Sequence, residues 1–230
     1  MRTTTSSLLL LLSLLFFFTF RTKFSPVLAA DTKPVRDRTG KILQTGVEYY
    51  VLASSPSAGG GVTLGRNKNG TEICPYDVFQ EPSVQSSGIP VTFTPVDPKK
   101  RVIGVSTDLN IEFSVDATIC VQSLVWKLGD FDESRRQYFI TTNGVKGNPG
   151  LETLSNWFKI EKETTELSDY SYKLVFCPSV CDLCKPICKD IGIYYYKDGT
   201  RRLALLSDEV QRPFVVVFAR ADDQQLIKMN

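Results

Sequence analysis

The sequence predicts an all-β fold, and three observations carry that prediction. Its apolar segments are short and mostly alternate with polar residues, they are rich in Val, Ile, Tyr, Phe and Thr, and turn signals separate them. No stretch holds a 3.6-residue apolar period, so crossover helices are not expected and a barrel or sandwich of ten or more strands is.

In chain order the strand-length runs are VEYYVLA (47–53), VTFTP (91–95), LNIEFS (109–114), SLVWKL (123–128) and QYFITT (137–142). NWFKIE (156–161), YKLVFC (172–177), IGIYYY (191–196), RRLALL (201–206) and FVVVFA (214–219) follow. Between them lie GGG at 59–61, NKNG, NGVKGNPG and KDG, all turn-forming by composition. Three segments, EYYVL, NIEFS and YKLVF, recur about sixty residues apart, a weak threefold repeat.

The first thirty residues belong to a different class. Arg2 is followed by Leu8 to Phe20, apolar except for Ser13 and Thr19, and then by the small pair Ala29-Ala30. Basic start, apolar core and small-residue site are the order of a secretory signal, and the run is shorter than the roughly 20 residues of a membrane span. Cleavage after Ala29 or Ala30 fits, and Ala30 is taken here, leaving a mature domain over residues 31–230. The leader holds three of the 27 basic residues (Arg2, Arg21, Lys23) and none of the 25 acids, so the mature charge is 24 − 25 = −1. No basic field remains to attract nucleic acid or an anionic membrane. The expected destination is outside the cell or the vacuole, by the secretory route.

Histidine is absent. That excludes Ser-His-Asp and Cys-His catalysis and histidine metal ligands within this chain. The sequence has no P-loop, no GxGxxG and no paired-carboxylate motif. No catalytic residue, cofactor or metal is assigned, and an enzyme is not expected.

Six cysteines in an exported chain read as three disulfides. The run CPSVCDLCKPICKD has C-x3-C-x2-C-x3-C spacing, unlike the two separated CxxC pairs of a four-thiolate zinc site. Fifteen pairings are possible, and spacing does not choose among them. It suggests a nested pair, Cys177–Cys188 around Cys181–Cys184. An offset of four returns to the same face of a strand, and Asp182-Leu183 forms the turn. Pro178 and Pro186 predict irregular arms. Cys74 and Cys120 remain for each other. By loop entropy that 46-residue closure is worth about 4 kcal/mol, and the short ones about 2–3 each. The tripeptide NGT at Asn69 is an N-glycosylation acceptor on a turn-like stretch.

Several segments resemble the plant Kunitz-type trypsin inhibitor family: GVEYYVLAS near the mature start, then YKLVFCP, CKDIGIYYYKDGTRRLAL and PFVVVF near its end. VSTDLNIEF, VWKLGDFDES, QYFITTNGVKGNPGLETLSNWFKIE and CPSVCDLCKPICKDIGIY are similar to its miraculin-like members, and the likeness spans 31–220. The resemblance implies a β-trefoil, a six-stranded barrel capped by three hairpins and stapled by Cys74–Cys120 and the nested pair, with a glycan at Asn69. It implies a monomeric inhibitor whose partner is a trypsin-like serine protease. Acid-dependent taste modification in the family uses histidines, and none is present. The family's intermolecular cysteine falls near Leu167, so a linked dimer is not implied.

By the same resemblance, the reactive-site loop falls on Thr94 to Gly104, TPVDPKKRVIG. Such a loop must sit in a protease as a substrate does, and rigidity lowers the ordering cost of binding. Pro95 and Pro98 fix φ near −65° and bias the preceding residues towards extended backbone, so an extended loop is expected. Lys99 aligns with the specificity residue and Lys99–Lys100 with the scissile bond, flanked by Pro98 and Arg101. Lysine suits a pocket holding a buried carboxylate. Where tight inhibitors brace this loop with asparagine, this chain has Thr45, with one short hydroxyl and no amide. The residues alone also fit a solvated Lys99-Lys100-Arg101 turn or a dibasic processing site. A binding or storage protein without tight inhibition is the alternative function.

Overall fold

Burying one face of each alternating segment yields twelve strands among the described residues. The computed structural model describes residues 32–66, 73–163 and 168–223. The first six strands are β1 (Tyr49–Ala53), β2 (Val62–Gly65), β3 (Asp77–Gln80), β4 (Val91–Pro95), β5 (Leu109–Phe113) and β6 (Lys127–Asp132). The others are β7 (Gln137–Thr141), β8 (Lys159–Lys162), β9 (Tyr172–Phe176), β10 (Lys189–Tyr195), β11 (Arg201–Leu205) and β12 (Val215–Arg220). The assigned leader, Asn69 and the position near Leu167 lie outside the described residues. Among the described residues no helix is long and apolar enough to cross a membrane.

Six strands close into a ring. β1 pairs with β12 and β4, β4 with β5, β8 with β9, and β9 with β12, all antiparallel. The last seam, β5 to β8, is the single bridge between Leu109 and Phe158, with reciprocal hydrogen bonds of 2.9 Å. Closure removes the exposed edges that an open sheet would present. The inside is filled by alternate residues: Tyr49 and Val51 on β1, Phe93 on β4, Ile111 on β5, Leu174 on β9, Val216 and Phe218 on β12. Phe93 meets Phe218 edge to face at 5.4 Å, a favoured aromatic geometry.

The other six strands form three hairpins, β2–β3, β6–β7 and β10–β11. They meet in a triangle: Asp77 opposite Thr141, Phe139 opposite Ala204, and Arg202 opposite Phe79. At its centre Arg202 and Asp77, 2% and 1% exposed, form a buried ion pair. The Arg202 guanidinium lies over the Phe139 ring at 4.1 Å. This six-stranded barrel with three capping hairpins is a β-trefoil. The three recurring segments lie on β1, β5 and β9, the first strand of each four-strand third.

Two strands are absent from the sequence reading, and the boundary of β6 shifts most. β2 and β3 are only four residues each, too short for alternation to declare them. The connection from β3 to β4 passes close to β2 at Gly88, where φ is +72° and a Cβ would sit 1.9 Å from the Val62 carbonyl oxygen. The run at 123–128 enters its ladder only at Lys127, because Val125 instead bridges Glu112. Trp126 beside it is fully buried against Phe113 and Phe158. Two short 3-10 helices, Pro56–Ala58 and Leu151–Asn156, complete the chain between strands.

Candidate functional site

The connection from β4 to β5 carries Lys99. At its base Pro95, the last residue of β4, is paired with Leu109, and Val96 N–H donates to the Asp108 carbonyl at 2.9 Å. At its far side Ile103 is fully buried, bonded from its N–H to the Leu43 carbonyl at 3.1 Å and from its carbonyl to Val35 N–H at 2.9 Å. Bridges from Gln44 to Val102 and from Pro34 to Gly104 continue this clamp. Apolar anchors at both ends leave Asp97, Pro98, Lys99, Lys100 and Arg101 exposed between them.

The apex is a turn, whereas extended backbone is expected from the prolines. Lys100 N–H donates to the Asp97 carbonyl at 3.1 Å, and Lys99 N–H donates to Asp97 Oδ1 at 3.1 Å. Neither Pro98 nor Lys99 has positive φ, which excludes a type II turn and fits type I with proline in its second position. Asp97 is the physical reason, since an aspartate side chain captures the N–H two residues on and stabilises a turn. Asp97-Pro98 is itself a turn-initiating pair, a signal present in the sequence beside the bias of Pro98.

Thr45 does reach the loop. Its hydroxyl donates to the Lys100 carbonyl at 3.1 Å, and its N–H donates to the Arg101 carbonyl at 2.9 Å. The short side chain suffices because the bridge between Gln44 and Val102 already lays the two segments side by side. One of the two bonds comes from the main chain and needs no particular side chain.

The cysteine run forms a second restrained projection. Cys177–Cys188 encloses Cys181–Cys184, and Cys74–Cys120 closes 46 residues elsewhere. The arms beyond β9 lack regular pairing, as Pro178 and Pro186 require. Its base is tied to the Lys99 loop through Asp108, which is 6% exposed. The Asp108 carboxylate accepts from Ser179 N–H at 3.1 Å and from the Ser179 hydroxyl, with Lys159 Nζ at 3.9 Å. Asp108 is a residue the sequence reading missed; nothing local marks it. Among the described residues no group of three or more His, Cys, Asp or Glu is placed to hold a metal.

The family profile described as trypsin and protease inhibitor matches residues 35–220. The chain is 47% identical over 192 residues to Kunitz trypsin inhibitor 5 of Arabidopsis thaliana, covering 84% of this chain and 88% of that one. It is 47% identical over 199 residues to miraculin of Synsepalum dulcificum, covering 84% and 87%. Among solved structures, a Kunitz-type cysteine protease inhibitor from potato superposes with a TM-score of 0.69 at 33% identity, covering 83% and 98%. The chain therefore belongs to the plant Kunitz-type family of protease inhibitors and is not an enzyme.

Proposed function

We propose that the mature protein inhibits a trypsin-like serine protease, with Lys99 in the specificity pocket and Lys99–Lys100 as the scissile bond. One observation carries this reading. Lys99 projects from a turn that is hydrogen-bonded within itself by Asp97 and fastened on its far side by Thr45. Such restraint lowers the ordering cost that a free loop would incur on docking. Pro98, Lys100 and Arg101 flank the contact, and Thr45 supports it. The protein is a monomer exported by the secretory pathway after removal of Met1 to Ala30, with a glycan on Asn69, and needs no cofactor. Secreted material beginning at Asp31, with a mass shift on glycosidase treatment lost in Asn69→Gln, checks the processing.

Titration of purified mature protein against trypsin, chymotrypsin and papain tests the target class. Lys99→Ala should weaken trypsin binding by about 30-fold or more, because the protease carboxylate is left buried without a partner. Lys100→Ala should change it little. Equal inhibition by the parent and Lys99→Ala would place the contact elsewhere.

The alternative, a miraculin-like binding or storage protein with weak or no inhibition, draws on Thr45 standing where tight inhibitors have asparagine and on the second charge at Lys100. A 46% identical relative is named 21 kDa seed protein of Theobroma cacao. Failure of the parent to inhibit any of the three proteases favours it.

A further inference from the structure

We propose that the Cys181–Cys184 loop is a second protease-binding head, presenting Leu183 to an endopeptidase whose primary pocket is apolar. Leu183 is 97% exposed at the tip of the nested disulfide hairpin. Its closing hydrogen bond repeats that of the Lys99 turn. Cys184 N–H donates to the Cys181 carbonyl at 3.2 Å, as Lys100 N–H donates to Asp97 at 3.1 Å. In both turns the exposed candidate occupies the third of four positions, just before the residue that closes the turn.

The staples supply here what Asp97 and Thr45 supply to the first loop. A large apolar side chain held out on a rigid scaffold is the kind of anchor that dominates an interface, because it fills a pocket with little ordering cost. The position of the staples also protects the bond beside the anchor. Hydrolysis at Leu183–Cys184 adds one water, giving a carboxylate on Leu183 and an ammonium on Cys184. Both new ends remain tied, since the bond lies inside the 181–184 and 177–188 rings. Loss of that water restores the peptide, and the ends have not separated. Asp108, holding Ser179, steadies the hairpin base against the barrel.

The inference rests on the reading of Lys99 for its turn analogy, and the same protein tests the two separately. The mature parent, Leu183→Ala, Leu183→Lys and Lys99→Ala are titrated against chymotrypsin and subtilisin. The parent should inhibit at least one of the two. Both Leu183 variants should lose about 30-fold or more of that inhibition, the loss expected when a central anchor is removed. Lys99→Ala should retain it. Leu183 is almost fully exposed, so unchanged thermal unfolding of its variants shows that the fold is kept. Lack of inhibition of both proteases by the parent, equal inhibition by Leu183→Ala, or loss in Lys99→Ala would each overturn the assignment. Failure against trypsin alone would overturn the Lys99 reading and leave this one standing.

Discussion

The Thr45 hydroxyl donates to the Lys100 carbonyl at 3.1 Å, joining two segments 55 residues apart in the chain. This bond and its main-chain neighbour to Arg101 hold the far side of the exposed turn, while Asp97 holds its near side. Loop rigidity is thereby divided between a local aspartate and a distant threonine.

Thr45→Ala removes the side-chain bond and keeps the main-chain one. A single hydrogen bond is worth about 0.5–1.5 kcal/mol net, so trypsin inhibition should weaken by about 2- to 10-fold. Thr45→Asn offers two amide donors and should tighten the complex. Inhibition constants for the three proteins measure the order Asn, Thr, Ala.

Asp108→Ala leaves Ser179 N–H and its hydroxyl without their acceptor and Lys159 without its nearby carboxylate. Bonds to a charged group are worth about 1.5–3 kcal/mol. Denaturant unfolding should show a loss of that order, accompanied by faster amide exchange in the 177–188 hairpin than in β1.

The cap depends on Asp77 and Arg202. Removing one member of a buried pair costs about 3–5 kcal/mol, because the survivor stays charged away from water. Asp77→Ala should lower stability by that amount in chemical denaturation. The double variant Asp77→Leu, Arg202→Met should be more stable than Asp77→Ala, since both buried charges of the pair are removed together.

Stability should also fall in acid through Asp132. Burial pushes its carboxyl up, but bonds from the Ser134 hydroxyl and from the Arg135 guanidinium and N–H outweigh that and hold it below the ordinary value. A depressed folded-state value means the contribution is complete above the unfolded carboxylate range, near 3.9, and is lost as pH falls below it. Asp132→Asn should therefore lose less stability than the parent between about pH 5 and pH 3, measured by thermal unfolding.

Sequence alone determined the class of fold, because alternation is a local consequence of burying one face of an extended chain. Tyr49 and Val51, or Tyr172 and Leu174, declare their inward face without reference to any partner. The same holds for the lack of histidine chemistry. The family likeness supplied the trefoil and the approximate address of the loop. Only tertiary structure decided how the parts meet. The barrel closes through Leu109 and Phe158, and the Lys99 loop and cysteine hairpin share Asp108. Thr45 reaches Lys100 because the Gln44–Val102 bridge carries it there. These contacts join residues distant in the chain, and their energy comes from burial and hydrogen bonding that exist only once the barrel has formed. The turn at Asp97-Pro98 is local, set by the aspartate side chain that captures Lys99 N–H. The clamp at both ends of the loop, from Val96 to Asp108 and from Gln44 to Val102, decides only where that turn is held out from the barrel.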